Sequence, residues 1–500
     1  MNQSTSYPWL LSLIERLRPD ICQLFPKEDA GVRTGFLSWI VTSGTREYRS
    51  ILEDTELKDY VNEIDPCTGL KRLIALVYSA RPDVQAAYPL ENGLEPIVSW
   101  FERHGLHEHN LYQFVDTCPA VTSQARAYEF GVNLIGYVYG QLGIGEDLRM
   151  AAKALLAADV PFSLLDFPPG KDIPQNDRSM LAYVSKQGPY SINLFCMTAL
   201  EHGRFYAERG RSQIAGRYNI GYWPWELSKW PDQWKDLTRL VDEVWVSTQH
   251  TYDALVAVSN VPVFIMPMAV ELGAITQFQS NRHARDFFRL PQDAKLFCFS
   301  FDLNSSFHRK NPQACVDSFL KAFPLNQFSE SEVGLVIKAH RPTRHDKAWE
   351  KLKLLARQDP RIHIIEATLQ RPDLLALYQC CDCFLSLHRA EGFGRGIAEA
   401  LQLGLHVITT GYSGNVDFCD TPQVDLVDYS LVKVKKGQYP FGDGQVWAEA
   451  DTHHAAEHML RFVNKPYSSV QVPHGGWPRF APATIGKRYF ERLAKIVENC

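Results

Sequence analysis

Five hundred residues exceed what one hydrophobic core supports, and the size suggests roughly three domains. An apolar fraction of 45% with 22% charged residues is that of an ordinary globular chain, and a net charge of −5 offers no basic footprint for nucleic acid or for anionic lipid. No run long and apolar enough to span a membrane is present, and the N-terminus lacks the basic leader and apolar stretch of a secretory signal. The 11 cysteines are scattered, which points to a reducing compartment and a cytoplasmic location. Cys380, Cys381 and Cys383 cluster without a second ligand pair at zinc spacing, so buried cysteines of a strand are expected there and no metal.

The chain opens with a duplication. Leu17-Arg18-Pro19-Asp20-Ile21, Pro26, Trp39, Gly44 and Glu47 recur as Ala80-Arg81-Pro82-Asp83-Val84, Pro89, Trp100, Gly105 and Glu108. The offset is 63 residues at Arg, Pro and Asp and 61 at Trp, Gly and Glu, so the intervening loop changes length by two residues. LSLIERL and KRLIALVYSA carry apolar residues at helical spacing ahead of each Arg-Pro-Asp. Residues 1–126 are therefore expected to form an all-α domain of two repeats, serving as a structural cap or as a docking module for a protein partner or a membrane surface.

From Phe130 the texture becomes α/β. GVNLIGYVYG reads as a strand covered on both faces. A glycine loop follows, Gly140-x-x-Gly143-x-Gly145, then a helical stretch, then a second strand over 161–167. The glycine order is not that of a dinucleotide fingerprint, which argues against an NAD enzyme. Such a loop allows close backbone approach to a phosphate, or is merely a tight turn. Further strands are expected over 191–197, 218–223, 241–248 and 261–270. Between them lies Trp223-Pro224-Trp225-Glu226, followed by Trp230. Rings beside a carboxylate suit a sugar, so Trp223, Trp225 and Glu226 are candidates for acceptor or sugar binding, the alternative being an aromatic packing plug.

The second α/β half begins with the strand 294–302 and the polar stretch LNSSFHRKNP, then a helix over 313–323. Strands over 332–340, 361–367 and 383–390 alternate with a helix over 371–381, which argues a parallel sheet. Arg309 and Lys310, past the first strand, could neutralise a leaving diphosphate. Glu391-Gly392-Phe393-Gly394-Arg395-Gly396-Ile397-Ala398-Glu399 sets two carboxylates eight residues apart around a glycine turn. Eight helical residues span about 12 Å, enough to reach both ends of a nucleotide-sugar. The N–H groups of Gly394, Arg395 and Gly396 would face its phosphates.

At these residues the chain resembles the retaining glycosyltransferase family 4, whose fold is GT-B. EGFGRGIAE is similar to that family's Glu-x7-Glu motif and follows SLHRA. FDLNSSFHRKNP, GYWPWELSKWP, VDEVWVSTQHT and the glycine loop add to the likeness, which covers about 130–490. The relatives that look nearest serve bacterial polysaccharide and lipopolysaccharide assembly. The resemblance implies two Rossmann-like domains facing a cleft, at 127–290 on the acceptor side and 291–475 on the donor side. It implies a helix within 476–500 crossing back to the first of them. It also implies that Glu391 contacts the donor sugar and Glu399 the ribose. Arg309 and Lys310 would hold the diphosphate, with Gly143 and Gly145 near it. Family members often keep the basic pair several residues apart, so Lys310 is the firmer of the two here.

The expected activity is transfer of a hexose-type sugar from a UDP- or GDP-linked donor to a glycan or glycolipid acceptor, with retention and with no metal or other cofactor. Two alternatives belong to other classes, namely a non-catalytic nucleotide-sugar or glycan-binding subunit and a sugar-nucleotide epimerase of the same fold. Glu391 is expected to line a cleft, so that its removal abolishes transfer and leaves the fold intact.

Overall fold

The computed structural model describes residues 7–27, 33–115, 128–170, 173–340, 346–464 and 477–499. The expected domain junctions near 126 and 475 lie outside those residues. The described residues divide into one unit drawn from 1–130, 189–193 and 198–219, and a second drawn from 131–188, 194–197 and 220–500. No helix among them is long and apolar enough to cross a membrane.

The first unit is chiefly helical. Pro19 opens the helix Pro19–Leu24 and Pro82 opens Pro82–Ala87, the position where a missing N–H costs nothing. Arg18 folds back on Asp20 at 3.0 Å, pairs with Glu47 and lies over the Trp39 ring at 5.1 Å. Likewise Arg81 meets Asp83 at 2.9 Å, pairs with Glu108 and lies over Trp100 at 5.5 Å. A π-helical turn follows the tryptophan in both, Ile40–Gly44 and Phe101–Gly105. The helix Ala199–Arg209 belongs to the same unit: Tyr206 packs on Trp9, and the carbonyl of Ala207 accepts from Ser50 at 2.9 Å.

Two six-stranded sheets carry the α/β part. The first contains β1 (Glu129–Gly136), β2 (Phe162–Asp166), β3 (Tyr190–Cys196), β4 (Tyr218–Tyr222), β5 (Glu243–Val246) and β6 (Val263–Ile265), in the order β2-β1-β3-β4-β5-β6. The second contains β7 (Lys295–Asp302), β8 (Val333–His340), β9 (Ile362–Glu366), β10 (Cys383–Ser386), β11 (His406–Thr410) and β12 (Val424–Val427), in the order β12-β11-β10-β7-β8-β9. All five neighbouring pairs of the second sheet are parallel. Helices cover both faces of such a sheet, which is why β10 and all but the last residue of β8 are buried and both read as largely apolar runs. Strands β8 and β9 run to one side of β7, and β10 to β12 to the other. The order therefore reverses between β7 and β10, and ligands of doubly wound sheets bind outside the carboxyl ends of strands at that place. An antiparallel ribbon, β13 (Tyr429–Lys433) with β14 (Val446–Ala450), follows the second sheet.

Cys383 lies in β10 as expected, whereas Cys380 and Cys381 sit at the end of the helix Arg371–Gln379; all three are buried. The last helix, Pro482–Asn499, packs on Gly143–Ala157 of the first half, where Gly486 meets the carbonyl of Ala154. It is tied down by charge as well. Glu243 on β5 is fully buried, accepts from the Trp245 indole at 2.7 Å, and pairs with Arg492 at 3.1 Å. Removing one partner of a buried pair costs about 3–5 kcal/mol. Arg492→Ala is therefore expected to lower unfolding stability in denaturant by that amount. A loss below about 1 kcal/mol, the level of a surface pair, would show that the helix is held without this charge.

Candidate active site

The carboxyl ends of β7 and β10 bring the basic pair and the first glutamate together. After β7 the chain makes a short helical turn, Phe307–Lys310, and not the extended loop its polar composition suggests. Asn311 ends the turn in the left-handed region at φ 53°, a conformation that asparagine tolerates better than most residues. Pro312 then opens the helix Pro312–Ala322. The Asn311 amide donates to the carbonyl of Leu387 at 3.1 Å, which fixes the turn to the end of β10. Arg309 is nearly buried, donating to the carbonyls of Ala390 at 2.7 Å and Ser305 at 3.2 Å.

Glu391 is 8% exposed. One carboxylate oxygen pairs with the Lys310 ammonium and the other lies 3.1 Å from Arg309. Its backbone N–H donates to Ser413 at 2.8 Å. Burial alone would raise this carboxyl, but the charges of Lys310 and Arg309 outweigh it and hold it down at about 2. Burial pulls the Lys310 ammonium below its ordinary value against the attraction of Glu391. Glu391, expected to line a cleft, is buried as the counter-charge of Arg309, which is buried, and of Lys310, which is partly so. Ser306, Asn311 and Ser413, three non-glycine residues at positive φ, flank this cluster, and stored backbone strain concentrates at functional sites.

Glu226 joins the same cluster from the first half. It accepts from the Tyr439 hydroxyl at 2.6 Å and lies 3.8 Å from Arg309, while the Arg309 guanidinium sits 5.8 Å from the Tyr439 ring centre. Burial and then the Glu226 charge push the Tyr439 phenol well above its usual value, so it remains a donor. Trp223 is fully buried and Trp225 nearly so. Trp225 contacts Trp234 at 5.1 Å and Tyr439 at 6.0 Å, and Trp223 stacks on Trp230 at 6.1 Å. These rings form a packed aromatic plug that backs Glu226, the arrangement held open as the alternative to an exposed stacking platform.

The glycine turn is fitted against the first half. A side chain at Gly392 would come within 2.7 Å of the Trp225 carbonyl, and the Gly392 carbonyl accepts from Thr248 at 2.7 Å. Gly394 has φ 94°, a conformation that favours glycine, and opens the helix Arg395–Gln402. Among the described residues no side chain caps that helix, whose first-turn N–H groups include those of Arg395 and Gly396. Glu399 is 3% exposed and pairs with Arg371 at 2.9 Å. The Arg395 side chain does not join these amides; it crosses to Asp147 at 3.1 Å. Gly143 and Gly145 lie in the first turn of Gly143–Ala157. Gly143 borders open space, whereas Gly145 is required by packing on the carbonyls of Gly140 and Tyr137.

Tyr439, Ser413 and Arg371 were not anticipated. Tyr439 stands in the connection of the β13–β14 ribbon, whose signal is the tract KGQYPFGDG between two β-prone runs. Ser413 stands in GYSGN after β11, and Arg371 opens a helix whose sequence reads only as helical.

Two Rossmann-like sheets, with the candidate site at the order reversal of the second, define the GT-B architecture. Residues 305–432 match the family model described as Glycosyl transferases group 1, a span that contains Arg309, Lys310, Arg371, Glu391 and Glu399. A comparison with curated proteins finds no match. Among solved structures, HepE of Anabaena, solved in complex with UDP and glucose, aligns with TM-score 0.51 at 14% identity, covering 73% of this chain and 100% of HepE. A glycosyltransferase from Rickettsia africae aligns with TM-score 0.50 at 13% identity, covering 74% of this chain and 100% of its own. The trehalose 6-phosphate synthase of Burkholderia multivorans aligns with TM-score 0.50 at 10% identity, over 74% and 99%. At such identities the structures establish the fold, and the family match supports a group 1 glycosyltransferase.

Proposed function

We propose that this chain is a retaining hexosyltransferase. It would move a sugar from a UDP- or GDP-linked donor to a glycan or glycolipid acceptor in polysaccharide synthesis. The observation that carries the reading is the buried set of Glu391 with Lys310 and Arg309, placed beside an uncapped helix N-terminus at the carboxyl ends of β7 and β10. A diphosphate brings the negative charge that two cations and free helix amides stabilise. HepE, with UDP and glucose bound, is a precedent for this ligand class on this fold.

In the proposed reaction the bond between the anomeric carbon and the diphosphate oxygen breaks, and the acceptor hydroxyl adds from the same face. Its proton passes to the departing diphosphate. Lys310 and Arg309 stabilise the charge that develops on the leaving group, so the reaction calls for no metal and no other cofactor. Glu391 orients the sugar hydroxyls and Glu399 the ribose. Glu226, held by Tyr439 and backed by Trp225 and Trp223, forms the acceptor side. The setting is the cytoplasm, and the helical residues 1–126 are the part assigned to a membrane surface or a protein partner.

Melting temperature measured with UDP, GDP, ADP, CDP and dTDP tests this reading. A ligand at a hundred times its dissociation constant adds about 2.7 kcal/mol to stability. UDP or GDP alone is expected to raise the melting temperature, and the rise should disappear in Lys310→Ala. No response to any of the five would move the assignment to a binding or scaffold protein.

A further inference from the structure

The helix that follows the glycine loop, Gly143–Ala157, carries two adjacent acids near its start, Glu146 and Asp147. Each meets an arginine of the second half. Arg371 lies 3.4 Å from Glu146 through Nε and 2.9 Å from Glu399 through Nη2, so one guanidinium bridges carboxylates of both halves. It also donates to the carbonyl of Glu271 at 3.4 Å. Arg395 lies 3.1 Å from Asp147 and donates to the carbonyl of Ala269 at 3.3 Å. Arg149 completes the set: it pairs with Glu146 at 3.0 Å and donates to the carbonyls of Val138 and Gly140, both at 3.1 Å. A continuous path therefore runs from the backbone of the glycine loop through Arg149, Glu146 and Arg371 to Glu399.

The placement is not what helix stability alone selects. Arg371 and Arg395 are each the first residue of a helix, the end at which the macrodipole disfavours a cation. Glu146 and Asp147 stand near the end that favours an acid. The two arginines are held at unfavourable ends and turned onto acids of the facing half. Although burial opposes it, Arg371 and then Arg149 and Arg395 hold Glu146 below the usual carboxylate range, so the bridge is charged at neutral pH.

We infer that Arg371 and Arg395 are positioning residues for the donor, a clasp that fixes the glycine loop against the wall carrying Glu399 and the open helix end. This rests on the nucleotide-sugar reading above. Ribose hydroxyls that donate to Glu399 share that carboxylate with Arg371, and Arg371 keeps Glu146. The ribose contact and the position of the loop are then linked through one guanidinium.

A double-mutant cycle on nucleotide affinity tests the clasp. The full chain, Arg371→Gln, Glu146→Gln and the double variant are titrated with UDP and GDP by calorimetry, with a melting curve of each taken without nucleotide. Each single substitution is expected to weaken binding about tenfold, with the double variant no weaker than the poorer single. Arg371→Lys keeps the charge but cannot span two carboxylates, and is expected to lose the same affinity while melting close to the parent. Single variants within about threefold of the parent, losses that multiply in the double variant, or full affinity in Arg371→Lys would each overturn the clasp. A change in melting temperature with unchanged affinity would do so too, by reducing the bridge to a structural contact. If the parent chain binds neither nucleotide, the donor reading itself fails and the clasp falls with it, an outcome visible before any variant is examined.

Discussion

Glu391→Gln is expected to reduce sugar transfer about 10²- to 10³-fold, the loss that follows removal of one preorganised polar contact at a reacting centre. Glutamine keeps the volume and an acceptor oxygen but removes the charge that Lys310 and Arg309 face. Breaking a buried ion pair costs up to about 3–5 kcal/mol, so activity has to be compared on protein shown to be folded. The two roles separate by pH. The Glu391 carboxyl sits at about 2 in the folded chain against an ordinary 4.5. A depressed carboxylate contributes its full stability above the ordinary value and loses it as pH falls towards the folded one. The stability difference between the parent and Glu391→Gln should thus be constant near neutrality and shrink between pH 4.5 and about 2. A difference that does not vary over that window would mean that Glu391 is not held ionised by its neighbours. Near-native turnover in a folded Glu391→Gln would remove the carboxylate from the site altogether.

Lys310→Ala is expected to lose about 2–4 kcal/mol of transition-state stabilisation, roughly 30- to 1000-fold in kcat/KM. The loss should fall mainly on kcat, because the negative charge on the diphosphate grows as its bond to the sugar breaks. Arg309 cannot substitute for it. The Arg309 guanidinium is already divided among Glu391, Glu226 and two carbonyls, whereas Lys310 pairs with Glu391. In the proposed reaction Lys310 would then turn to the diphosphate as Glu391 turns to the sugar. An effect below about threefold would place Lys310 among surface charges, which contribute little.

The parts of the chain legible in sequence are those whose physics is local. Strands β1, β7, β8 and β10 are buried over most of their length, and their largely apolar runs declared them. The glycine turn at 391–396 was readable because Gly394 needs a positive φ and Gly392 a close approach, demands that only glycine meets without strain. Strand β6 is shorter than its apolar run: Val263–Ile265 pairs with β5, whose own extent, Glu243–Val246, limits the ladder, and the run continues past it. Strands β11 and β12 were missed, because polar residues interrupt their short apolar runs, His406, Thr409 and Thr410 in His406–Thr410 and Asp425 in Val424–Val427.

By itself the sequence determined the two-sheet α/β class, the order of its motifs, and the residue types a phosphate and a sugar require. Those follow from backbone covering, turn geometry and charge, each a property of neighbours along the chain. Only the tertiary structure decided what each charge faces. Glu391 became the counter-ion of Lys310, Trp225 became a backing for Glu226 and not an open platform, and Arg395 crossed to Asp147 instead of serving the helix end beside it. Pairs separated by 81, 213 and 248 residues leave no periodic trace, because a charge interacts with whatever the fold brings within a few ångströms of it.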